Sequence, residues 1–203
     1  MKLKKLVSVF IISLFALSLA GCGESTRKSE NSTELSSEAT TEATTEMSSS
    51  LNGFVTDYVS FEVTSTNLHD GVWDEVISSD KGLNHSPELK WDPVDGATQY
   101  LIYMTDVDAF NWAHWMSDGV TETELPEGWA SDSDYKGPYP PAGSSHTYEI
   151  YVVALKNPVE RMKGALDGQN PKFEENFKAM DTDANGNSGN IISVGKLTGT
   201  YGN

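Results

Sequence analysis

The chain has 203 residues, of which 30 are acidic and 14 basic, giving a formal charge of −16, and 37% are hydrophobic. Six of the acidic and five of the basic residues precede residue 53, so the remainder carries 24 against 9 and a formal charge of −15. Such a field repels nucleic acid and anionic lipid surfaces, which excludes both as partners held by charge, and the single Cys leaves none over for a disulfide or a thiolate metal site.

In chain order, Lys2, Lys4 and Lys5 form a positive n-region ahead of an apolar run from Leu6 to Leu19, too short for an ordinary transmembrane helix. The run closes on Leu19-Ala20-Gly21-Cys22, which resembles the lipobox of bacterial lipoproteins. That resemblance implies a signal peptide over 1–21 and acylation of Cys22, with palmitate-like chains, so that the protein is anchored to the extracytoplasmic face of a bacterial cell membrane and does not span it. From Gly23 to Asn52 the chain is Ser, Thr and Glu with almost nothing apolar. It cannot bury enough surface to offset the entropy of ordering, and we read 22–52 as the lipidated Cys and a disordered tether. Residues 53–203 then have the length of one domain.

Within that domain, Tyr58 to Val63 alternates like a half-buried strand, and Gln99 to Asp106 is apolar on both faces, as a central strand would be. Thr147 to Leu155 reads as a buried strand in which His146, Tyr148, Ile150 and Val152 share one face. Two helices are expected: Pro158 to Leu166, stopped by Asp167-Gly168, and Pro171 to Met180, with Asn170 as N-cap. The final strand is expected over Asn190 to Leu197. Short strands with turn punctuation argue for an all-β protein, an antiparallel β-sandwich with a few short peripheral helices.

The stretch Gly137-Pro-Tyr-Pro-Pro-Ala-Gly-Ser-Ser-His146-Thr-Tyr148 delivers a His and a Tyr to one side of a strand behind a rigid proline-glycine wall, which is how a small polar pocket is built. It closes a series of motifs: Asn84-His-Ser-Pro87, Trp91, Asp106-Val-Asp108-Ala109, Trp112-Ala-His114-Trp115 and Leu125-Pro-Glu-Gly128, with Thr198-Gly-Thr-Tyr201 near the end. In order and spacing these resemble the phosphatidylethanolamine-binding protein family, also called Raf kinase inhibitor-like proteins, and its bacterial branch in particular. The resemblance implies a Greek-key β-sandwich with a small anion-accepting cavity for phosphate, phosphomonoesters or carboxylates. It implies a ligand-binding set of Asp106, Asp108, Ala109, Trp112, His114, Gly137, Pro140, Pro141, His146 and Tyr148, with no cofactor and no catalytic residue. A His near neutrality can become a cation and double donor, and an Asp can orient its ring. Tyr148 can donate a hydrogen bond without adding charge, and Trp112 with the prolines can form walls. Asp108 is equally readable as a turn cap. Trp91, Trp115, Tyr100 and Tyr103 read as packing, and His69 and His85 as surface residues.

The chain departs from the family at Val107 and Phe110, where Pro is usual, and after His114-Trp115, where Met116-Ser-Asp-Gly119 stands in place of an apolar strand. The loop holding Asp181, Asp183, Asn185 and Asn187 has the early oxygen spacing and Gly186 of an EF-hand, but Ile192 where a bidentate Glu is needed. We read it as an Asn/Gly-rich turn, with weak calcium binding as the alternative. Three functions compete: a non-catalytic binding module for a small anion, a metal- or acid/base-assisted hydrolase using the same His/Asp cluster, and a surface protein-interaction or inhibitor module. The hydrolase lacks an evident activated nucleophile, since adjacency of Ser144 and Ser145 to His146 in sequence does not put a hydroxyl on the imidazole. Regulation of cytoplasmic kinases, known in the family, does not transfer to a lipoprotein domain outside the membrane.

Overall fold

The structure, a computed structural model, describes residues 53–203. The signal peptide expected over 1–21 and the lipidated Cys and tether expected over 22–52 lie outside the described residues. Ten strands carry the domain: β1 (Ser60–Phe61), β2 (Val63–Thr64), β3 (Leu68–His69), β4 (Val72–Trp73), β5 (Leu89–Trp91), β6 (Gln99–Asp106), β7 (Trp112–Val120), β8 (Glu124–Leu125), β9 (Ser145–Leu155) and β10 (Ile191–Gly202). The large sheet runs β3-β4-β10-β9-β6-β7 with β1 also on β10, and a small sheet runs β2-β5-β8. Most pairings are antiparallel; β1 and β4 meet β10 in parallel. The strand order is non-sequential, so connections cross between the sheets, as the expected all-β sandwich requires.

The alternation of side chains along β6 and β9 explains the layering. Tyr100, Ile102 and Met104 of β6, with Tyr148, Ile150, Val152 and Ala154 of β9, face the small sheet and pack with Val63, Leu89, Trp91 and Leu125. Leu101 and Tyr103, with Tyr151, Val153 and Leu155, face the other way, against Phe173 and Phe177 of α1 (Phe173–Lys178). Both strands are therefore buried on both faces, as their continuous apolar runs indicate, and Trp91, Trp115, Tyr100 and Tyr103 are core residues.

Two helix expectations are corrected. Residues 158–166 form no helix. Val159 and Met162 instead pack on the rear cluster, the Lys163 carbonyl accepts from the Tyr103 hydroxyl at 3.1 Å, and Gly164 at φ 113° is left-handed. Tertiary contacts at both apolar positions outweigh a weak local helix preference. The second helix starts at Phe173, later than Pro171, and Asn170 serves it through its carbonyl, which accepts from the Phe173 N–H at 3.0 Å, and its Oδ1, which accepts from Asn176 Nδ2 at 2.6 Å. The final strand is longer than expected, reaching Gly202. The segment after His114-Trp115 is a continuous strand despite its polar composition. Ser117 is buried there and accepts from Trp115 Nε1 at 2.9 Å, and register shifts against β6 absorb the altered spacing.

Candidate functional site

The site forms where three strand ends meet in register. Asp106, the last residue of β6, lies opposite Trp112 of β7 on one side and Tyr148 of β9 on the other. His114 and His146 stand two residues along their strands, which brings both to the same end of the sheet. The chain turns sharply after Asp106, and the Asp holds the turn itself: its Oδ1 accepts from the N–H groups of Asp108 (3.0 Å) and Ala109 (3.1 Å), as an N-cap does. Phe110 and Asn111 then take left-handed backbone, at φ 58° and 52°.

The other oxygen, Asp106 Oδ2, lies 2.6 Å from His146 Nδ1. His114 Nδ1 lies 2.6 Å from the Lys136 carbonyl. A carbonyl only accepts, so this contact puts the proton of neutral His114 on Nδ1, and the Asp106 carboxylate does the same for His146. In both rings Nε2 is the nitrogen left for a ligand. Burial, the largest influence, holds the pKa of His114 below the usual histidine value, although the Lys136 carbonyl and the charges of Asp106 and Asp167 pull it upward. His114 is therefore neutral at neutral pH. Its ring meets Tyr148 edge to face at 5.3 Å. The Tyr148 hydroxyl is buried without a well-aligned hydrogen-bond partner. Burial and then the neighbouring Asp106 raise its pKa, so it stays a neutral donor beneath the site.

The proline-glycine loop forms the opposite wall, and its glycine has a packing reason. A Cβ on Gly137 would lie 2.0 Å from the Ile77 carbonyl oxygen, so the loop reaches this close to residues 77–79 only as glycine. Gly137, expected in the ligand-binding set, is thus required by this approach of backbone to backbone. The Gly137 N–H donates to Asn84 Oδ1 at 2.8 Å and the Ser79 hydroxyl to the Gly137 carbonyl at 3.0 Å, which gives the Asn84 motif its function. The hydroxyls beside His146 are directed at backbone: Ser144 donates to the Pro141 carbonyl at 2.6 Å, and Ser145 faces the Tyr201 carbonyl at 3.4 Å.

Between strand ends and wall lies a cavity of about 280 Å³. Of the expected residues, Asp106, Ala109, Trp112, His114, Gly137, Pro141 and His146 line it. Three stand back from it. Tyr148 lies beneath; Pro140 is buried in the wall, its carbonyl accepting from Asn203 Nδ2 at 3.1 Å; Asp108 is exposed and accepts from the Thr147 N–H at 2.6 Å, the turn-holding alternative. Ser79, Lys136, Tyr139 and Asp167 also line the cavity and escaped the sequence reading. Lys136 and Tyr139 flank or sit within the singled-out loop and were within reach of it. Asp167 was read only as a helix stop, and its place depends on an irregular segment.

Elsewhere, the loop from Asp181 to Asn187 is held by its own side chains. Asp183 Oδ1 accepts from the N–H groups of Asn185 and Asn187, both at 2.9 Å, and the Asp181 carboxylate accepts from those of Gly189 and Ile191. These contacts lower the Asp183 pKa, backbone donation from Asn187 foremost. Among the described residues no three His, Cys, Asp or Glu side chains are grouped so as to hold a metal ion.

Fold and cavity together define a β-sandwich protein with a small His/Asp-lined cavity where strand ends meet a proline-rich loop. The phosphatidylethanolamine-binding protein family matches residues 64–202. A UPF0098 protein from Methanothermobacter thermautotrophicus is 31% identical over 141 residues, covering 59% of this chain and 84% of the relative. Escherichia coli YbcL, described as a new member of the mammalian PEBP family, superposes with a TM-score of 0.54 at 22% identity, covering 70% of this chain and 98% of its own. The PEBP homologue CT736 of Chlamydia trachomatis gives 0.52 at 22% identity, covering 71% and 98%. The chain belongs to the phosphatidylethanolamine-binding protein family.

Proposed function

We propose that this protein is a non-catalytic binding protein, anchored through Cys22 to the outer face of a bacterial membrane, whose cavity holds a small anion such as a phosphate or phosphomonoester. The observation that carries the reading is the pair of imidazoles with Nδ1 already engaged, by Lys136 and by Asp106, at one cavity. Each presents Nε2, which is an acceptor while the ring is neutral and becomes a charged donor once protonated. An arriving anion stabilises the protonated ring, so binding takes up a proton. The family's name, which refers to a phosphate-bearing lipid, agrees with a phosphate ester as ligand.

Calorimetric titration with phosphate and with sulfate, at about pH 5.5 and about pH 7.5, tests the reading. Sulfate does not itself titrate in this range, so a change in its affinity reports on the protein. Tighter binding of both anions at the lower pH is expected, with loss in His114→Ala/His146→Ala. A double variant that keeps wild-type affinity and pH dependence overturns the reading. The anchor has its own test: Cys22→Ala moves the protein from the membrane fraction to the soluble or secreted one.

A further inference from the structure

We propose that the last residues of the tether, 47–52, fold back into an apolar groove on the domain and seat Leu51 and Met47 there, so that the free tether ends near Glu46. The groove encloses about 350 Å³ and is lined by Gly53, Val55 and Tyr58 of the entering chain, Phe61 of β1, and Val194 and Lys196 of β10, among others. It shares no lining residue with the His/Asp cavity. Lys196 alone of its lining carries a charge, and its Nζ is paired with Glu149 at 2.6 Å. What the groove leaves to be covered is therefore mainly apolar surface.

The occupant follows from connectivity. Gly53 lines the groove and Leu51 stands two residues before it, so the Leu51 Cα lies within about 7 Å of the Gly53 Cα whatever the backbone conformation. A side chain tethered that closely competes at an effective concentration that a free partner does not match. The spacing agrees. Met47 and Leu51 precede Val55 by eight and four residues, and residues four apart share a face both on a helix and on a strand. Val55 is buried in the rear cluster that also contains Val194, and both line the groove, so the side of the chain that carries Met47 and Leu51 is the side turned to it. Between Gly23 and Asn52 Leu35 is the one other large apolar side chain, which concentrates apolar surface at the groove end of the tether. A groove of this size has room for a few side chains and not for the roughly 1,200–2,000 Å² that a stable dimer buries, which argues against a second copy. With 47–52 seated, the domain is held at its rear cluster and not at the His/Asp cavity.

The test is hydrogen exchange of the intact protein, read by mass spectrometry of peptides covering 47–61 and 190–197, beside Met47→Ser/Leu51→Ser. In the wild type the amides of 47–52 are expected to exchange about tenfold or more slowly than those of an unstructured chain. The double variant should lose that protection, speed exchange around Tyr58 and Val194 and lower Tm by about 2–4 °C. Leu35→Ser, the same kind of change farther along the tether, should match the wild type. Exchange of 47–52 at the unstructured rate in the wild type overturns the proposal, and that measurement needs no variant. Unaltered exchange around Tyr58 and Val194 in the double variant overturns it too, because Met47 and Leu51 then do not cover the groove. Protection that rises with protein concentration gives the groove to a second copy and counts against the proposal equally.

Discussion

The same end of the β6/β9 strand pair carries two buried carboxylates, one on each face of the sheet, and they have opposite uses. On the front, Asp106 pairs with His146 at 2.6 Å; on the rear, Glu149 pairs with Lys196 Nζ at 2.6 Å and accepts from the Tyr151 hydroxyl. Burial does not tell them apart. The carboxylates are 5% and 1% exposed at the side chain, and their nitrogen-bearing partners 19% and 24%. What differs is the partner and the space beside it. At the rear, Lys196 Nζ and the Tyr151 hydroxyl close over Glu149, so that pair serves the packing of the sheet. Asp106 instead lines a cavity beside the His146 ring, so the front pair is within reach of a ligand.

The largest effect expected from this contrast is at the rear. Lys196→Met leaves the Glu149 charge buried without its cationic partner, which should cost about 3–5 kcal/mol and lower Tm by about 10 °C in a domain of this size. Adding Glu149→Gln should recover much of the loss, because the stranded charge is then gone. Thermal unfolding of the single and double variants checks this, and equal instability of both would place the cost in lost packing. Next comes the wall: Gly137→Ala forces the loop off the Ile77 carbonyl and should cost about 1–3 kcal/mol, with anion binding lost alongside. On the front, Asp106→Asn should cost only about 1 kcal/mol, near the worth of one hydrogen bond, yet weaken sulfate binding by about tenfold or more. A front variant as destabilising as Lys196→Met would break the distinction.

The two faces also differ in how far they could be read from sequence. The period-two pattern of β6 and β9 identified both as central strands and put His146 and Tyr148 on one face, and the motif order carried most of the cavity. The wall's dependence on Asn84 and Ser79 was not readable, because their contacts to Gly137 join residues more than fifty positions apart. The helix expected over 158–166 failed for the same reason: Val159 and Met162 have helical spacing, and tertiary contacts use them in irregular backbone instead. That error concealed Asp167, which is placed by the irregular segment and not by a local pattern. The Glu149–Lys196 pair left no sequence signal, since a Glu inside an apolar strand looks like an interruption until its partner on β10 is known.

The smallest effect is the pH dependence of stability contributed by His114, and it separates the faces without a change in shape. Burial depresses the folded-state pKa of His114 below its ordinary value, so beneath that value the unfolded chain binds a proton more readily than the folded one. Stability must then fall as pH drops from about 7 towards about 5, with the full penalty reached below the folded pKa and none present above neutrality. The groups that oppose the depression are the Lys136 carbonyl, Asp106, the Gly137 backbone and Asp167, while the rear pair lies on the other side of the sheet. His114→Gln should therefore flatten the acid side of the Tm profile, after subtraction from the wild type to cancel the other histidines. Sulfate should reduce the wild-type slope, because an anion in the cavity gives the protonated ring a partner, and should leave the His114→Gln profile nearly parallel to its ion-free curve. A slope that persists in His114→Gln would trace the acid sensitivity to other titrating groups and leave His114 as a packed, neutral wall of the cavity.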